Sequence, residues 1–440
     1  MSERALPTTL PAWLARLEAA HPVGIDLGLD RVAEVARRMG LLEGPLAPRV
    51  ITVAGTNGKG STVAMLEALA QAHGLTTATY TSPHLLHYNE RLRLDGRQAD
   101  DATLIAGFEA VEAARLKGEP ISLSYFEMGT LGALWAIARQ PPALAILEVG
   151  LGGRLDAVNI IDPDVAVITT VAQDHAAFLG NDLEGIGREK AGILRPGRPA
   201  VLGSTTLPAS VRAVAEQQGA RVVALGEAFH REGEGDAWRW FGQDGGGDPV
   251  ALADLPDPGL PLDNAASALQ ALALVEVPLE EPACRHALAS VRLPGRMQWL
   301  GPWCLDVGHN PHAAAYLAQR LTALPCEGRT IGLIGMLGDK DADGVIAALA
   351  PAVDAWVPAS LEGERARSAD DLADRLAHQG ARVWHRGDSP AEAADWLSTR
   401  LAPEDRVLVC GSFFTVAAVL AWHQAVAPTA EHATRSEEAR

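Results

Sequence analysis

Cysteine is scarce. Four residues in 440, Cys284, Cys304, Cys326 and Cys410, lie far apart and form no CxxC motif. That excludes a disulfide framework and makes a reducing compartment, the cytoplasm, the simplest expectation. Long apolar runs are missing too. Nothing approaches the roughly 20 residues a membrane-spanning helix needs, and the N-terminal MSERALPTTLPAWLARLEAA lacks the apolar centre of a signal peptide. Positive charge is in deficit, with 37 Lys and Arg against 55 Asp and Glu, a net charge of −18. A nucleic-acid-binding surface is therefore not expected, and an anionic substrate needs a local basic site. Aromatics are few, at 5%. What the chain does have is apolar bulk, 48% hydrophobic over a length that implies two or three domains.

The most informative stretch is Arg49 to Ala70, RVITVAGTNGKGSTVAMLEALA. Val50, Ile51 and Val53 read as a buried parallel strand. Val63, Leu66, Leu69 and Ala70 recur at helical spacing. Between them, Gly55-Thr56-Asn57-Gly58-Lys59-Gly60-Ser61 forms a glycine turn with one lysine. Glycines let backbone N–H groups turn toward an anion, the helix start adds its positive end, and Lys59 adds a charge. This is a phosphate cradle, although Val53 stands where the usual pattern has its first glycine, and Gly60 where it has Ser or Thr.

Two further apolar strands, Leu144–Val149 and Val165–Val171, each end in a polar group. Glu148 lies inside the first, where an unpaired carboxylate is unfavourable, so it should meet a cation or a metal. Asp174-His175 follows the second. Taken alone, His175 reads as an ordinary hydrogen-bonded histidine. In an open parallel sheet, however, the residues at the strands' carboxyl ends share one crevice. That would bring the phosphate cradle, Glu148 and His175 together, a donor set suited to Mg²⁺ beside a triphosphate. Arg154, in the glycine-rich loop 150–159, could neutralise a phosphate if the loop faces that crevice. Arg91 and Arg93 alternate with Leu92 and Leu94, as an edge strand with a charged face or as cations near an anionic tail. Ser124 and Glu127 have capping-box spacing before a helix to about Arg139. Asp26–Met39 reads as a helix, and so does Asn264–Val275, with Asp263 or Asn264 as its cap. Glu232–Asp248 suggests a hairpin.

Leu293-Pro294-Gly295-Arg296 is the best domain boundary, giving domains over 1–294 and 295–427 and a structureless tail over 428–440. In the second domain, Trp303–Val307, Thr330–Gly335, Val353–Pro358, Ala381–His385 and Asp405–Cys410 read as strands separated by helices. Asn310-Pro311 starts one of those helices. The fold class is α/β in two domains: a P-loop-type parallel-sheet domain and a smaller Rossmann-like one.

GTNGKGST, TSPHLLHYNERLRLDG (Thr81–Gly96), LEVGLGGRLDAVN (Leu147–Asn159), DHAAFLG (Asp174–Gly180), GREKAGI (Gly187–Ile193), LPGRMQ (Leu293–Gln298) and DVGHNPHAA (Asp306–Ala314) occur in this order. Together they resemble the folylpolyglutamate synthase branch of the Mur ligase superfamily. IDLGLDRV (Ile25–Val32) and ISLSYFEMGTL (Ile121–Leu131) narrow the resemblance to the bacterial bifunctional dihydrofolate synthase/folylpolyglutamate synthase family. The resemblance runs from about Pro11 to about Val426. It departs at Gly308, where the family often has Ala.

The resemblance implies an ATP-dependent ligase that adds L-glutamate to dihydropteroate and to reduced folates through an acyl phosphate. It places ATP on Thr56, Asn57, Gly58, Lys59, Gly60, Ser61, Asn264, Arg296 and Asp306. One or two Mg²⁺ ions fall to Ser82, Glu148, His175 and a carbamylated Lys190, with Lys59, His175 and Lys190 as catalytic groups. Dihydropteroate would meet Asp26, Ser124, Tyr125, Phe126, Glu127, Leu155, Asp156 and Ala157. A monomer with small-molecule substrates only is expected. The competing readings are a Mur-type ligase acting on a cell-wall precursor and a non-catalytic nucleotide-binding protein.

Overall fold

The computed structural model describes residues 6–20, 27–174, 180 and 182–437. Asp26 and His175 lie outside the described residues. The chain divides into two compact units, Met1–Val291 and Arg292–Arg440, beside the Pro/Gly-bearing segment at Leu293.

The first unit is built on eight strands: β1 (Val50–Ala54), β2 (Thr77–Tyr80), β3 (Leu92–Leu94), β4 (Arg97–Gln98), β5 (Leu144–Glu148), β6 (Val165–Ile168), β7 (Pro199–Leu202) and β8 (Arg221–Ala224). Their order is β4-β3-β2-β5-β1-β6-β7-β8. β2, β5, β1, β6, β7 and β8 pair in parallel, and β3 and β4 close one edge antiparallel. Every residue of β1, β5 and β6 is buried. This is why they read as unbroken apolar runs: parallel strands are covered on both faces. One core gathers Trp13, Val35, Phe108, Leu134 and Leu147. A second gathers Ala54, Ile168, Ile193, Leu202 and Val211. β6 stops at Ile168, three residues short of the expected end, because Thr169 and Thr170 turn to the phosphate loop.

The expected helix over Asp26–Met39 is seen as Asp30–Arg38. The helix expected from Asn264 starts two residues earlier, as Leu262–Leu274, and its cap is Pro261 without a side-chain bond. Asn264 is thus no cap; its amide is held elsewhere, as described below. The expected hairpin belongs to a small antiparallel sheet of β9 (His230–Glu232), β10 (Trp238–Gln243) and β11 (Pro249–Leu255). Trp238 and Trp240 fill its buried side.

The second unit has β12 (Gln298–Leu300), β13 (Trp303–Leu305), β14 (Thr330–Ile334), β15 (Ala355–Pro358) and β16 (Arg406–Cys410), ordered β12-β13-β16-β14-β15. All pairs are parallel except β12 with β13. Ala381–His385 is not a strand. It makes one bridge to β15, at Trp356–Val383, and the chain just beyond the two segments bridges again at Ala359–Gly387. The outer segment carries one residue more than β15 between those bridges, so no ladder forms. The last helix is Phe413–Glu437 and runs on into the segment from Pro428 that was expected to be a structureless tail.

Candidate active site

β1 delivers the phosphate loop at its carboxyl end. The following helix, Lys59–Ala72, has Gly58 as its N-cap, in a left-handed conformation at φ 88° and with no capping side chain. The first-turn N–H groups are left for a ligand to satisfy. A Cβ on Gly58 would stand 2.6 Å from Asn264 Nδ2, so glycine is required by space as well as by φ. Asn264 Nδ2 in turn donates to Ser61 Oγ at 2.8 Å. The buried Asn264 therefore ties the Leu262–Leu274 helix to the start of the phosphate-loop helix.

The end of β6 fastens the other side of the loop. Thr169 Oγ1 donates to Asn57 O at 2.6 Å. Thr170 Oγ1 does the same at 3.0 Å and accepts from Asn57 N at 3.0 Å. Thr56 N donates to Thr170 O at 2.7 Å. Lys59 Nζ donates to Gly55 O and Thr56 O at 3.0 and 3.4 Å, which holds the ammonium against its own loop. Sequence reasoning missed the role of Thr169-Thr170, because two threonines ending an apolar run look like ordinary strand formers.

Neighbouring strands bring the carboxylates. Glu148 ends β5, is 5% exposed, and accepts from Ser82 N at 3.2 Å. Ser82 leaves the end of β2. Among the described residues, no group of three or more His, Cys, Asp and Glu could hold a metal. Glu148 and Ser82 are nonetheless adjacent oxygen donors, one of them a buried carboxylate, and that chemistry fits a hard divalent cation.

Lys190 lies in the last turn of the helix Leu183–Ala191, whose start Asp182 caps through Glu184 N and Gly185 N. It is 4% exposed. Burial first, and then the neighbouring charge of Lys59, push its amine down to about 7; Asp174 and Asp156 oppose the shift. The glycine loop after β5 packs on this helix. A Cβ on Gly153 would stand 2.7 Å from Glu189 O and 3.0 Å from Lys190 Cα. Arg154 binds Glu189 through two nitrogens at 2.9 and 3.0 Å, so its guanidinium is held on a protein carboxylate. Asp156 caps the short turn Ala157–Ile160, accepting from Val158 N at 3.0 Å and Leu151 N at 2.8 Å. Burial raises its carboxyl to about 6 against those backbone bonds and Lys59.

The expected acceptor residues meet through Phe126. Ser124 and Glu127 form the capping box that opens the helix Tyr125–Arg139. Glu127 also accepts from Arg31 Nη2 at 3.0 Å. Phe126 lies against Gly150, where a Cβ would be 2.5 Å from its ring, and 6.2 Å from the Tyr80 ring. It thus joins the Ser124–Glu127 turn to the loop carrying the half-buried Leu155 and the buried Asp156 and Ala157.

In the second unit, Asp306 follows β13. It accepts from Met297 N at 2.9 Å and Gly308 N at 2.7 Å. Burial raises its carboxyl, and Arg296 opposes that most. Arg296 stands 5.0 Å from the Phe413 ring centroid, with the His309 ring 6.4 Å from the same ring. Asn310 caps the helix Pro311–Ala323 through Ala313 N. Gly411 N donates to Gly308 O at 2.9 Å, which joins these residues to the end of β16. Phe413 was not anticipated.

A phosphate loop at the central strand of a parallel sheet, joined in one chain to a second α/β unit, is the architecture of a nucleotide-dependent α/β enzyme. Residues 53–237 match the Mur ligase middle domain and residues 295–413 the Mur ligase glutamate ligase domain. The dihydrofolate synthase/folylpolyglutamate synthase of Escherichia coli is 45% identical over 414 residues, 93% of this chain and 94% of that protein. The structure of E. coli FolC in complex with DHPP and ADP superposes with a TM-score of 0.89 at 45% identity, covering 95% of this chain and 98% of that one. A bifunctional folylpolyglutamate synthase/dihydrofolate synthase with Mn, AMPPNP and L-glutamate bound gives a TM-score of 0.85 at 45% identity, with 94% and 98% coverage. The chain belongs to the dihydrofolate synthase/folylpolyglutamate synthase family.

Proposed function

We propose that this chain ligates L-glutamate to dihydropteroate, giving dihydrofolate, and to reduced folates, giving folylpolyglutamates, at the expense of ATP. The observation that carries this reading is the convergence of the phosphate loop, Ser82, Glu148 and Thr169-Thr170 at the carboxyl ends of β1, β2, β5 and β6, in a chain of this family. Thr56 to Ser61 cradle the triphosphate, and Lys59 leaves its loop carbonyls for the β- and γ-phosphates. The acceptor is held against Tyr125, Phe126 and the Leu155–Ala157 turn, with Ser124 and Glu127 beside it; Asp26 is the further contact that the family resemblance assigns. Its carboxylate attacks the γ-phosphorus; ADP leaves and an acyl phosphate forms. The amine of L-glutamate then attacks the acyl carbon and phosphate departs. Little covalent chemistry falls to the protein, which contributes position and charge neutralisation. Glu148, Ser82 and His175, with Lys190 as its carbamate, would hold one or two Mg²⁺ ions that neutralise the phosphate oxygens. Asn264 supports the cradle within its own unit through Ser61, and Arg296 and Asp306 are the residues of the second unit that the family resemblance assigns to the nucleotide. The low amine pKa of Lys190 favours carbamylation, because only a neutral amine attacks CO₂.

The chain works as a cytoplasmic monomer on this reading. Unpaired Cys284, Cys304, Cys326 and Cys410 agree with a reducing compartment, and among the described residues no helix is long and apolar enough to cross a membrane.

The test is ADP release by the purified chain with ATP, Mg²⁺ and L-glutamate, with dihydropteroate or tetrahydrofolate as acceptor, and product masses measured in parallel. Glutamate-dependent turnover of both acceptors is expected. ATP binding without turnover of either would overturn the reading.

A further inference from the structure

Among the described residues, Arg91 is a buried cation with no counter-charge. It ends the short turn Tyr88–Arg91 that follows the Ser82 loop, and it is 9% exposed. Its Nε donates to His84 Nδ1 at 2.9 Å. Its Cζ stands 5.1 Å from the Tyr88 ring centroid and 5.6 Å from that of Tyr125. Among the described residues no carboxylate pairs with it. The adjacent Glu90 accepts from the backbone N–H groups of Leu85, Leu86 and His87 instead. Other arginines of this unit do find carboxylates: Arg93 pairs with Glu67 at 2.9 Å, and Arg31 with Glu127 at 3.0 Å. A guanidinium withdrawn from water and faced only by neutral rings is unfavourable unless an anion joins it. Here Tyr125, from the proposed acceptor wall, is one of the rings beside it, and the backbone bond from Thr81 N to Arg91 O, at 2.8 Å, ties it to the Ser82 loop.

The two acceptors of the proposed reaction differ in one respect that matters to such a cation. Dihydropteroate has a single carboxylate, and that carboxylate reacts. A reduced folate ends in glutamate and has two, of which one reacts. An arginine fork binds a carboxylate through both oxygens, which suits a group that is held and not one that must attack phosphorus. We infer that Arg91, backed by His84 and flanked by Tyr88 and Tyr125, is the subsite for the non-reacting carboxylate of a folate acceptor's terminal glutamate. Arg91 then selects for chain extension and is dispensable for the first glutamate. This rests on the ligase reading above.

The experiment measures kcat and KM of the full chain and of Arg91→Gln for dihydropteroate, tetrahydrofolate and a tetrahydrofolate whose non-reacting carboxylate is converted to an amide. Losing one charge-assisted pair should lower kcat/KM of Arg91→Gln for tetrahydrofolate about 30- to 100-fold, mostly through KM, and leave dihydropteroate within about 3-fold. The unaltered chain should discriminate against the amide by a similar factor, and Arg91→Gln should not. Equal losses on both acceptors, or a rise in the KM of L-glutamate alone, would overturn the assignment. If the variant does not fold, the unaltered chain still decides: equal use of the amide and of tetrahydrofolate defeats the subsite. Silence of the unaltered chain with both natural acceptors defeats the ligase reading instead, and is seen before any substitution is made.

Discussion

Replacing Lys190 should stabilise this protein when CO₂ is absent. The amine is held at about 7 in the folded chain, chiefly by burial, and titrates near 10.4 when unfolded. A lysine lowered in this way works against folding wherever the unfolded chain binds the proton and the folded chain does not. At about pH 7 that opposition amounts to roughly 4 kcal/mol, and by about pH 9 it falls to roughly 2 kcal/mol. The sign follows directly: the stability of the unmodified chain rises with pH across this window. Lys190→Met keeps the stem and removes the amine, so it should abolish that rise and exceed the CO₂-depleted parent in stability at neutral pH. Carbamylation also removes the amine's proton, so bicarbonate should stabilise the parent and leave Lys190→Met unchanged. The assay is urea unfolding at about pH 7 and about pH 9, in degassed buffer and with bicarbonate. A Lys190→Met chain less stable than the depleted parent at neutral pH, or one with the same pH slope, would refute the burial argument.

Thr170→Val removes both hydroxyl bonds to Asn57 while Thr169 keeps its own. A loss of about 1–2 kcal/mol in loop order is expected, read as a rise of roughly 10-fold in the KM for ATP with little change for the acceptors. Glu148→Gln keeps an oxygen for Ser82 N but removes the charge. Turnover should fall by about 100-fold or more and the divalent-cation requirement should rise, measured by ADP release against metal concentration with circular dichroism as the folding control. In the second unit, the buried Asp405 is held down to about 2, mainly by Arg329. A depressed carboxyl stabilises above its ordinary range and loses that contribution as pH falls through about 4 toward 2, here about 2 kcal/mol. Asp405→Asn should therefore flatten the acid limb of stability, followed by fluorescence.

The features readable in the sequence are those whose chemistry is local. The Gly58-Lys59 turn, the Ser124–Glu127 capping box and the Asn310-Pro311 helix start each follow from a few neighbouring residues, and the structure builds all three. Parallel strands were equally plain, since burial on two faces leaves no polar alternation. What stayed hidden depends on residues distant in the chain. Asn264 looked like a cap because it stands near a helix start, yet its partner, Ser61, is 203 residues away. Ala381–His385 has strand composition, but one extra residue relative to β15 breaks its register. Arg154 looked available for a phosphate until Glu189 was found to hold it. Arg91 and Arg93 alternate identically in sequence; only the placement of Glu67 beside one and of aromatic rings beside the other separates a paired surface cation from a buried unpaired one.

The same non-local logic explains why Lys59 and Lys190 are brought close despite their like charge. The charge of Lys59 helps to lower the Lys190 amine, with Asp174 and Asp156 only partly offsetting the effect. A buried ammonium at position 190 would add repulsion without a compensating bond, and a neutral amine would leave a polar group desolvated. On the proposed reading a carbamate would reverse the sign: it would be attracted to Lys59 and could serve as a metal ligand. On that reading, carbamylation of Lys190 and binding of a cation should each strengthen the other by linkage.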